Sequence, residues 1–461
     1  MVLMDAARGG RGKRRKPALS RTIEAPGLPA RKTAARLLAA IVDAHTSLDA
    51  LTDPEHGHPQ FLALDGRDRA LVRAILVTAL RHRVTIGRMI ERHLDRPLPP
   101  NARSLTHILH AGAAQILFLA IPDSAAVDLA VQNAKSDPRT VRFAGLVNAL
   151  LRNVIRARDT LPEVLRDTVD APQWFAERLA AAYGADRAAA ILATHRVETP
   201  TDLTVKSDAE GWAEKLGGRV LPTGSVRLAG LPGPVPDLPG FGEGAWWIQD
   251  AAAALPARLL GDIRGLDVAD LCAAPGGKTA QLALAGASVT ALDISASRLR
   301  RLEENLSRLG LPAKTVAADI RLYRPDEPFD AVLLDAPCSS TGTVRRHPDI
   351  PWTKSPEDIA RLAGLQRELL ERAVDFVRPG GRIVFSNCSL DPLEGEELIR
   401  AFVNDRKDVR LDPIGRAELP AVAPFVAPEG WLRTTPADLA METPEFSGLD
   451  GFFAACFRKA G

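Results

Sequence analysis

The sequence predicts a multidomain chain in which an all-α unit precedes an α/β unit built on a parallel sheet. Two observations carry this expectation. From Lys32 to about Arg158, apolar residues recur at spacings of three and four, the period of helices with one buried face. Beyond about residue 240 the pattern becomes short apolar runs alternating with helical stretches, and such alternation implies a parallel sheet with helices on both faces. The 461 residues agree, being enough for about three folded units at roughly 150 each.

Residues 1–31 read as a basic, disordered arm. Residues 1–32 hold nine Lys/Arg against Asp5 and Glu24, a local balance of +7 in a chain of net charge +2. The cluster Arg11-Gly-Lys-Arg-Arg-Lys16 could condense onto phosphates or be a merely solvated tail, so charge by itself does not establish a nucleic-acid partner. Residues 32–158 form the helical unit. Its runs are Ala35-Arg-Leu-Leu-Ala-Ala-Ile-Val42, Leu71-Val-Arg-Ala-Ile-Leu-Val-Thr-Ala-Leu80 and 105–119, with breaks at Pro97-Leu-Pro-Pro100 and Pro122-Asp123. Residues 159–240 are expected to connect the two units, starting helically and turning strand-like at Thr201-Asp-Leu-Thr-Val205. Five prolines and four glycines between 221 and 240 read as a linker.

Residues 241–461 are the α/β unit. Strands are expected at 266–271, 288–293, 314–318, 330–335 and 382–386, helices at 295–309 and 356–377, and a final strand at 451–457. Composition, 46% hydrophobic and 25% charged, excludes a mostly disordered or fibrous chain. The longest nearly uncharged apolar run, 111–122, falls short of the roughly 20 residues that cross a bilayer. With no apolar stretch after the basic N-terminus to make a secretory signal, a cytoplasmic protein is expected. Four cysteines, at 272, 338, 388 and 456, make no C-x-x-C pair, so neither a disulfide scaffold nor a metal site is expected.

The first strand of the α/β unit runs into Asp270-Leu-Cys-Ala-Ala-Pro-Gly-Gly-Lys-Thr279. Gly276 and Gly277 permit a tight turn and close backbone approach to a ligand at a helix N-terminus. A P-loop needs glycine where Cys272 stands, and no G-x-G-x-x-G is present, which disfavours a nucleoside triphosphate. Asp293 ends the second strand, where a carboxylate can accept from both ribose hydroxyls, and Asp319 ends the third. A glycine turn and acidic strand ends without pyrophosphate machinery suggest a nucleoside-type cofactor such as S-adenosylmethionine; a purely structural βαβ unit with capping aspartates is the other reading. Asp335-Ala-Pro-Cys-Ser-Ser340 and Ser386-Asn-Cys-Ser389 bring two cysteines to the same sheet edge. A thiolate adding to carbon-6 of a pyrimidine makes carbon-5 nucleophilic towards a sulfonium methyl, after which a base removes the carbon-5 proton and the thiol leaves. A carboxyl group near ring nitrogen 3 stabilises the charge developed on addition. Alternatively both thiols are small buried hydrophobes.

Pro275-Gly-Gly-Lys278, Asp335-Ala-Pro-Cys338 and Asn387-Cys-Ser389 resemble the signature motifs of RNA cytosine-5 methyltransferases. Thr343-Val-Arg-Arg-His-Pro-Asp-Ile350 with Trp352 is similar more narrowly to the bacterial RsmB (Fmu/Sun) branch, which methylates a cytosine of small-subunit rRNA. The helical region, including Asp65-Gly-Arg-Asp-Arg69, resembles the RNA-binding fold of the antitermination factor NusB. The resemblance implies a NusB-like domain ahead of a Rossmann-like catalytic domain, with S-adenosylmethionine as cofactor and naked small-subunit rRNA as partner. A monomer without metal or membrane is expected. It also implies that Cys272, Ala273, Ala274, Pro275, Gly276, Gly277, Lys278, Asp293, Asp319 and Asp335 line the cofactor pocket. Asp335 would further approach the target base, Cys388 would attack, and Cys338 would assist release. Asn387 stands where the family commonly has threonine, and Gln249-Asp250 precedes four alanines where serine is common. A tRNA substrate, or a non-catalytic RNA-binding role for the whole chain, are the competing readings.

Overall fold

The computed structural model describes residues 25–99, 102–415 and 422–461. The expected arm at 1–31 lies outside them as far as residue 24. Its last residues do not, because the first helix begins at Leu28, with Gly27 at φ 77° before it and Pro29 in its first turn. Leu28 and Ala30 are already buried, so the helical unit starts four residues ahead of the expected boundary.

The helices Leu28–Ala44, Gly66–Arg81, Asp123–Lys135 and Ala144–Arg156 surround Arg103–Phe118. That central helix is buried almost all round, which explains the long uncharged run read from 111 onward: it is the middle of a bundle. Gly112 is needed there, since a Cβ would stand 2.8 Å from Leu151 Cδ1. Two buried polar side chains of this helix are paired, Gln115 Oε1 accepting from Arg31 Nε at 2.9 Å and His107 Nε2 lying 2.8 Å from Asp43 Oδ2. Asp65 caps its helix by accepting from the Asp68 N–H at 2.8 Å, so this motif residue serves the fold. Among the described residues no helix is long and apolar enough to cross a membrane.

Between helices and main sheet, the expected linker at 221–240 is not one. Strands β1 (Thr201–Val205), β2 (Arg219–Val220), β3 (Val226–Leu228) and β4 (Trp246–Ile248) form an antiparallel sheet in the order β2-β3-β1-β4. The prolines and glycines occupy the connections, and three-residue strands between them leave too short an alternation to read. Because β4 pairs with β1, the sheet continues past residue 240, where a boundary was expected.

The main sheet contains β5 (Asp267–Leu271), β6 (Ser288–Asp293), β7 (Lys314–Ala317), β8 (Phe329–Asp335), β9 (Val377–Asn387), β10 (Val409–Leu411), β11 (Leu432–Thr434) and β12 (Phe452–Lys459). Strands β7-β6-β5-β8-β9 are parallel, as expected. Antiparallel β12 extends them on β9, with β10 and β11 both on β12, which makes the sheet mixed. In β8, Val332 and Leu334 pack with Leu370 and Phe376 on one face while Ala331 and Leu333 pack with Leu255 and Leu282 on the other. Burial on both faces is why these strands read as unbroken apolar runs. Strand order reverses between β5 and β8, so the crevice at their carboxyl ends is the expected ligand site.

Candidate active site

The loop after β5 turns sharply at Gly276, φ 100°, where a Cβ would meet Leu302 Cγ at 2.6 Å, and the helix Gly277–Leu284 follows. It forms one wall of a cleft of about 430 Å³ lined by Ala273, Ala274, Pro275, Gly277, Lys278 and Asp335, with Trp247, Gln249 and Arg301 across from them. That volume suits a nucleoside-sized ligand. A Cβ on Gly277 would crowd the Gln249 amide at 3.3 Å, and Asp270 Oδ1, also at the cleft, is buried with no hydrogen-bond partner. Burial pushes the Asp270 carboxyl up to about 7. An apolar-walled cleft with an unmet acceptor fits a nucleoside-type cofactor.

Three of the expected cofactor residues stand differently. Cys272 packs into the core beneath the sheet, and burial pushes its thiol far up. Asp293 is 2% exposed and braces the loop from behind, accepting from Ala274 N–H at 3.2 Å and Ser295 N–H at 2.9 Å with Arg298 against it. Asp319 is paired with Arg321 at 2.7 Å, which holds its carboxyl below the usual range.

The two cysteine motifs converge. Asp335 and Ser386 are register partners on adjacent strands, so the loops leaving β8 and β9 run side by side. Ser386 Oγ donates to Asp335 Oδ1 at 2.9 Å and Lys278 Nζ to Oδ2 at 2.8 Å, while Lys278 also lies over the Phe452 ring. Cys338 Sγ and Cys388 Sγ are 3.4 Å apart, and both are part-exposed. The hydrogen bond from Cys338 holds the Cys388 thiol below its ordinary value, and the same contact, with burial, pushes Cys338 well above. Cys456 lies in the core of β12 and is pushed up to about 12 by burial.

The Gly451 N–H donates to the Gly342 carbonyl at 2.8 Å, and a Cβ on Gly342 would fall 2.0 Å from the Gly451 carbonyl oxygen; only glycine lets the 339–343 loop approach β12. Sequence reasoning missed the acidic anchor beneath: Glu394, fully buried, accepts from Ser339 and Ser389. An acidic residue in a Pro-Leu-Glu-Gly turn ordinarily faces solvent, so nothing in the pattern marked it. The two departures noted in the sequence prove satisfied. Asn387 Nδ2 donates to Gln366 Oε1 and to the Glu394 carbonyl, and Gln249 Oε1 accepts from Thr204 and Trp247. Asp250 binds Arg345 and Arg346, which reach Asp450 as well.

The segment 343–353 has a second face. Leu48 N–H donates to Asp349 Oδ2 at 2.9 Å, His347 Nδ1 lies 3.1 Å from Asp49 Oδ2, and Arg83 covers the Trp352 ring. The segment therefore joins the helical bundle to the cysteine loops. Among the described residues, no cluster of His, Cys, Asp or Glu could hold a metal ion.

Comparison with known proteins follows this division. The 16S rRNA methyltransferase RsmB/F family matches residues 262–458, and the NusB family matches residues 28–156. Ribosomal RNA small subunit methyltransferase B of Xanthomonas campestris pv. campestris is 38% identical over 411 residues, spanning 85% of this chain and 91% of that protein. Its namesake from Cronobacter sakazakii is 34% identical over 412 residues, spanning 85% and 94%. Among solved structures, a methyltransferase homolog protein from Pyrococcus horikoshii aligns over 65% of this chain and 99% of its own, at 28% identity and a TM-score of 0.51.

Proposed function

Because the chain belongs to the RsmB/F family of 16S rRNA methyltransferases, we propose that it methylates carbon-5 of a cytosine in naked small-subunit rRNA, as a cytoplasmic monomer, through a covalent bond from Cys388 to carbon-6. The observation that carries the reading is the 3.4 Å approach of two thiols of opposite acidity beside the Lys278–Asp335 pair.

S-adenosylmethionine, the cofactor, supplies an electrophilic methyl group. The 273–278 loop and Asp335 would hold it, with Asp293 bracing the loop from behind. Cys388 Sγ, the more acidic thiol, adds as thiolate to carbon-6. The Lys278 ammonium, seated on Asp335, offsets the negative charge that addition places on the ring. Once Cys388 is a thioether, its negative charge and acceptor no longer oppose ionisation of Cys338. After carbon-5 has taken the sulfonium methyl, which would leave the cofactor as a neutral thioether, Cys338 as thiolate can take the carbon-5 proton; that electron pair restores the double bond to carbon-6 and the Cys388 thiolate leaves.

Transfer of labelled methyl from S-adenosylmethionine to naked small-subunit rRNA, followed by bisulfite mapping, tests the proposal. One protected cytosine is expected. Labelled tRNA with unlabelled rRNA would redirect the substrate, and label at any other atom would overturn the cytosine-5 assignment.

A further inference from the structure

Both cysteine loops end on one carboxylate. Glu394 sits in the turn Pro392–Glu394 and has no exposed surface. Its Oε1 accepts from the Ser339 N–H at 2.9 Å and from Gln366 Nε2 at 2.8 Å, while Oε2 accepts from Ser389 Oγ at 2.5 Å and from the Ser339 hydroxyl. Ser339 directly follows Cys338, and Ser389 directly follows Cys388. Asn387, on the other side of Cys388, is fixed to the same residue through the Glu394 carbonyl at 2.6 Å.

We propose that Glu394 is a positioning residue for methyl transfer, its two oxygens fixing the thiols of Cys338 and Cys388 at hydrogen-bonding distance. This rests on the covalent reading above. Four donors converge on its two oxygens, and their hydrogen bonds favour the carboxylate against the burial that pushes its pKa up. A glutamine would turn an N–H towards at least one of those donors, and an aspartate is a methylene too short to reach both loops. Either change releases one loop. A displacement of even a fraction of an ångström separates Cys388 from the thiol that stabilises its anion.

The test uses the full chain carrying Glu394→Gln. Iodoacetamide labelling of Cys388, followed across pH by peptide mass spectrometry, should show its midpoint moved to higher pH. The rate of methyl transfer at saturating cofactor should fall roughly tenfold to a hundredfold, with cofactor affinity unchanged. Simple destabilisation would instead lower the melting temperature and leave the labelling midpoint of the folded fraction in place. A folded Glu394→Gln chain with the parent's midpoint and rate overturns the proposal. If that chain does not fold, Ser339→Ala and Ser389→Ala each remove one hydroxyl and leave the carboxylate. A smaller upward shift in each supports the proposal, and no shift in either overturns it. Labelling needs no turnover, so this result stands apart from the covalent reading, which fails by itself if Cys388→Ala still methylates.

Discussion

Cys338 and Cys388 face each other with their sulfurs 3.4 Å apart, from loops that leave adjacent parallel strands. The covalent reaction assigns them to opposite ends of one intermediate. Cys388→Ala should lower methyl transfer by at least about a thousandfold and form no adduct. Cys338→Ala should still attack and methylate but fail to release, accumulating a denaturant-resistant complex that RNase removes. A gel under denaturing conditions reads both. Trapping by Cys388→Ala alone would reverse the roles, and full activity of both variants would eliminate the covalent path.

The same contact fixes a pH dependence. Cys388 is held below the ordinary thiol value by the hydrogen bond from Cys338. The thiolate is therefore populated at lower pH than in a free cysteine, and adduct formation should rise with pH along a limb displaced towards acid. Removing the donor in Cys338→Ala should move that limb back to higher pH. Quench experiments that count adduct in the first turnover measure this without requiring release.

The parallel core was legible because its strands are buried on both faces and its loops carry glycine and acidic residues at strand ends. Strands β6 and β1 fall within the bounds expected of them, at Ser288–Asp293 and Thr201–Val205. The small sheet was not legible, since β2 and β3 are two and three residues long and their partners lie in distant sequence. For the site, adjacency of strand ends could be expected from βαβ order, and it brings Asp335, Cys338 and Cys388 together. What Asp293 does could not. Its carboxylate turns inward and accepts from the Ala274 N–H, a tertiary contact with no local signal. Arg345 and His347 read as family markers, yet their partners Asp250, Asp450 and Asp49 are far away in sequence.

Asp202 and Arg227 form a bidentate pair with no exposure on either side, and Arg227 also donates to the Phe446 and Gly448 carbonyls. Arg227→Met should destabilise the catalytic part by about 3–5 kcal/mol, because it leaves Asp202 charged and unpaired near Asp250. Adding Asp202→Asn should recover part of that loss, since the pair couples. The deficit of Arg227→Met should shrink as pH falls, as the stranded carboxyl takes a proton. Denaturant melts at two pH values test each point.

The basic arm should contribute affinity and little specificity. Residues 1–24 carry seven Lys/Arg against Asp5 and Glu24. Their deletion should flatten the slope of log affinity against log salt by about three for single-stranded RNA, as fewer counterions are released. The methylated position should stay where it is, because phosphate contacts carry no sequence information. A shifted position on bisulfite mapping would show that the arm reads sequence.

The helical bundle should place the substrate. Its 45–49 corner grips Asp349, His347 and the Trp352 carbonyl, and Asp53 holds Arg301 at the mouth of the cofactor cleft at 2.9 Å. A cytosine in structured RNA must swing out to reach Cys388, which costs a few kcal/mol of unstacking that contacts elsewhere on the RNA must offset. A fragment starting at Ala171 keeps the helix Gln173–Tyr183, whose Arg178 pairs with Asp391 and whose Tyr183 hydroxyl donates to the Leu390 carbonyl beside Cys388. That fragment should bind S-adenosylmethionine, because every residue lining the cleft lies beyond residue 240. It should methylate rRNA poorly at low RNA concentration and recover as RNA is raised, a defect in KM more than in kcat. Full activity at low RNA would show the bundle to be dispensable for placement, whereas a kcat that stays low at saturating RNA would locate its contribution in the grip on the 347–352 segment.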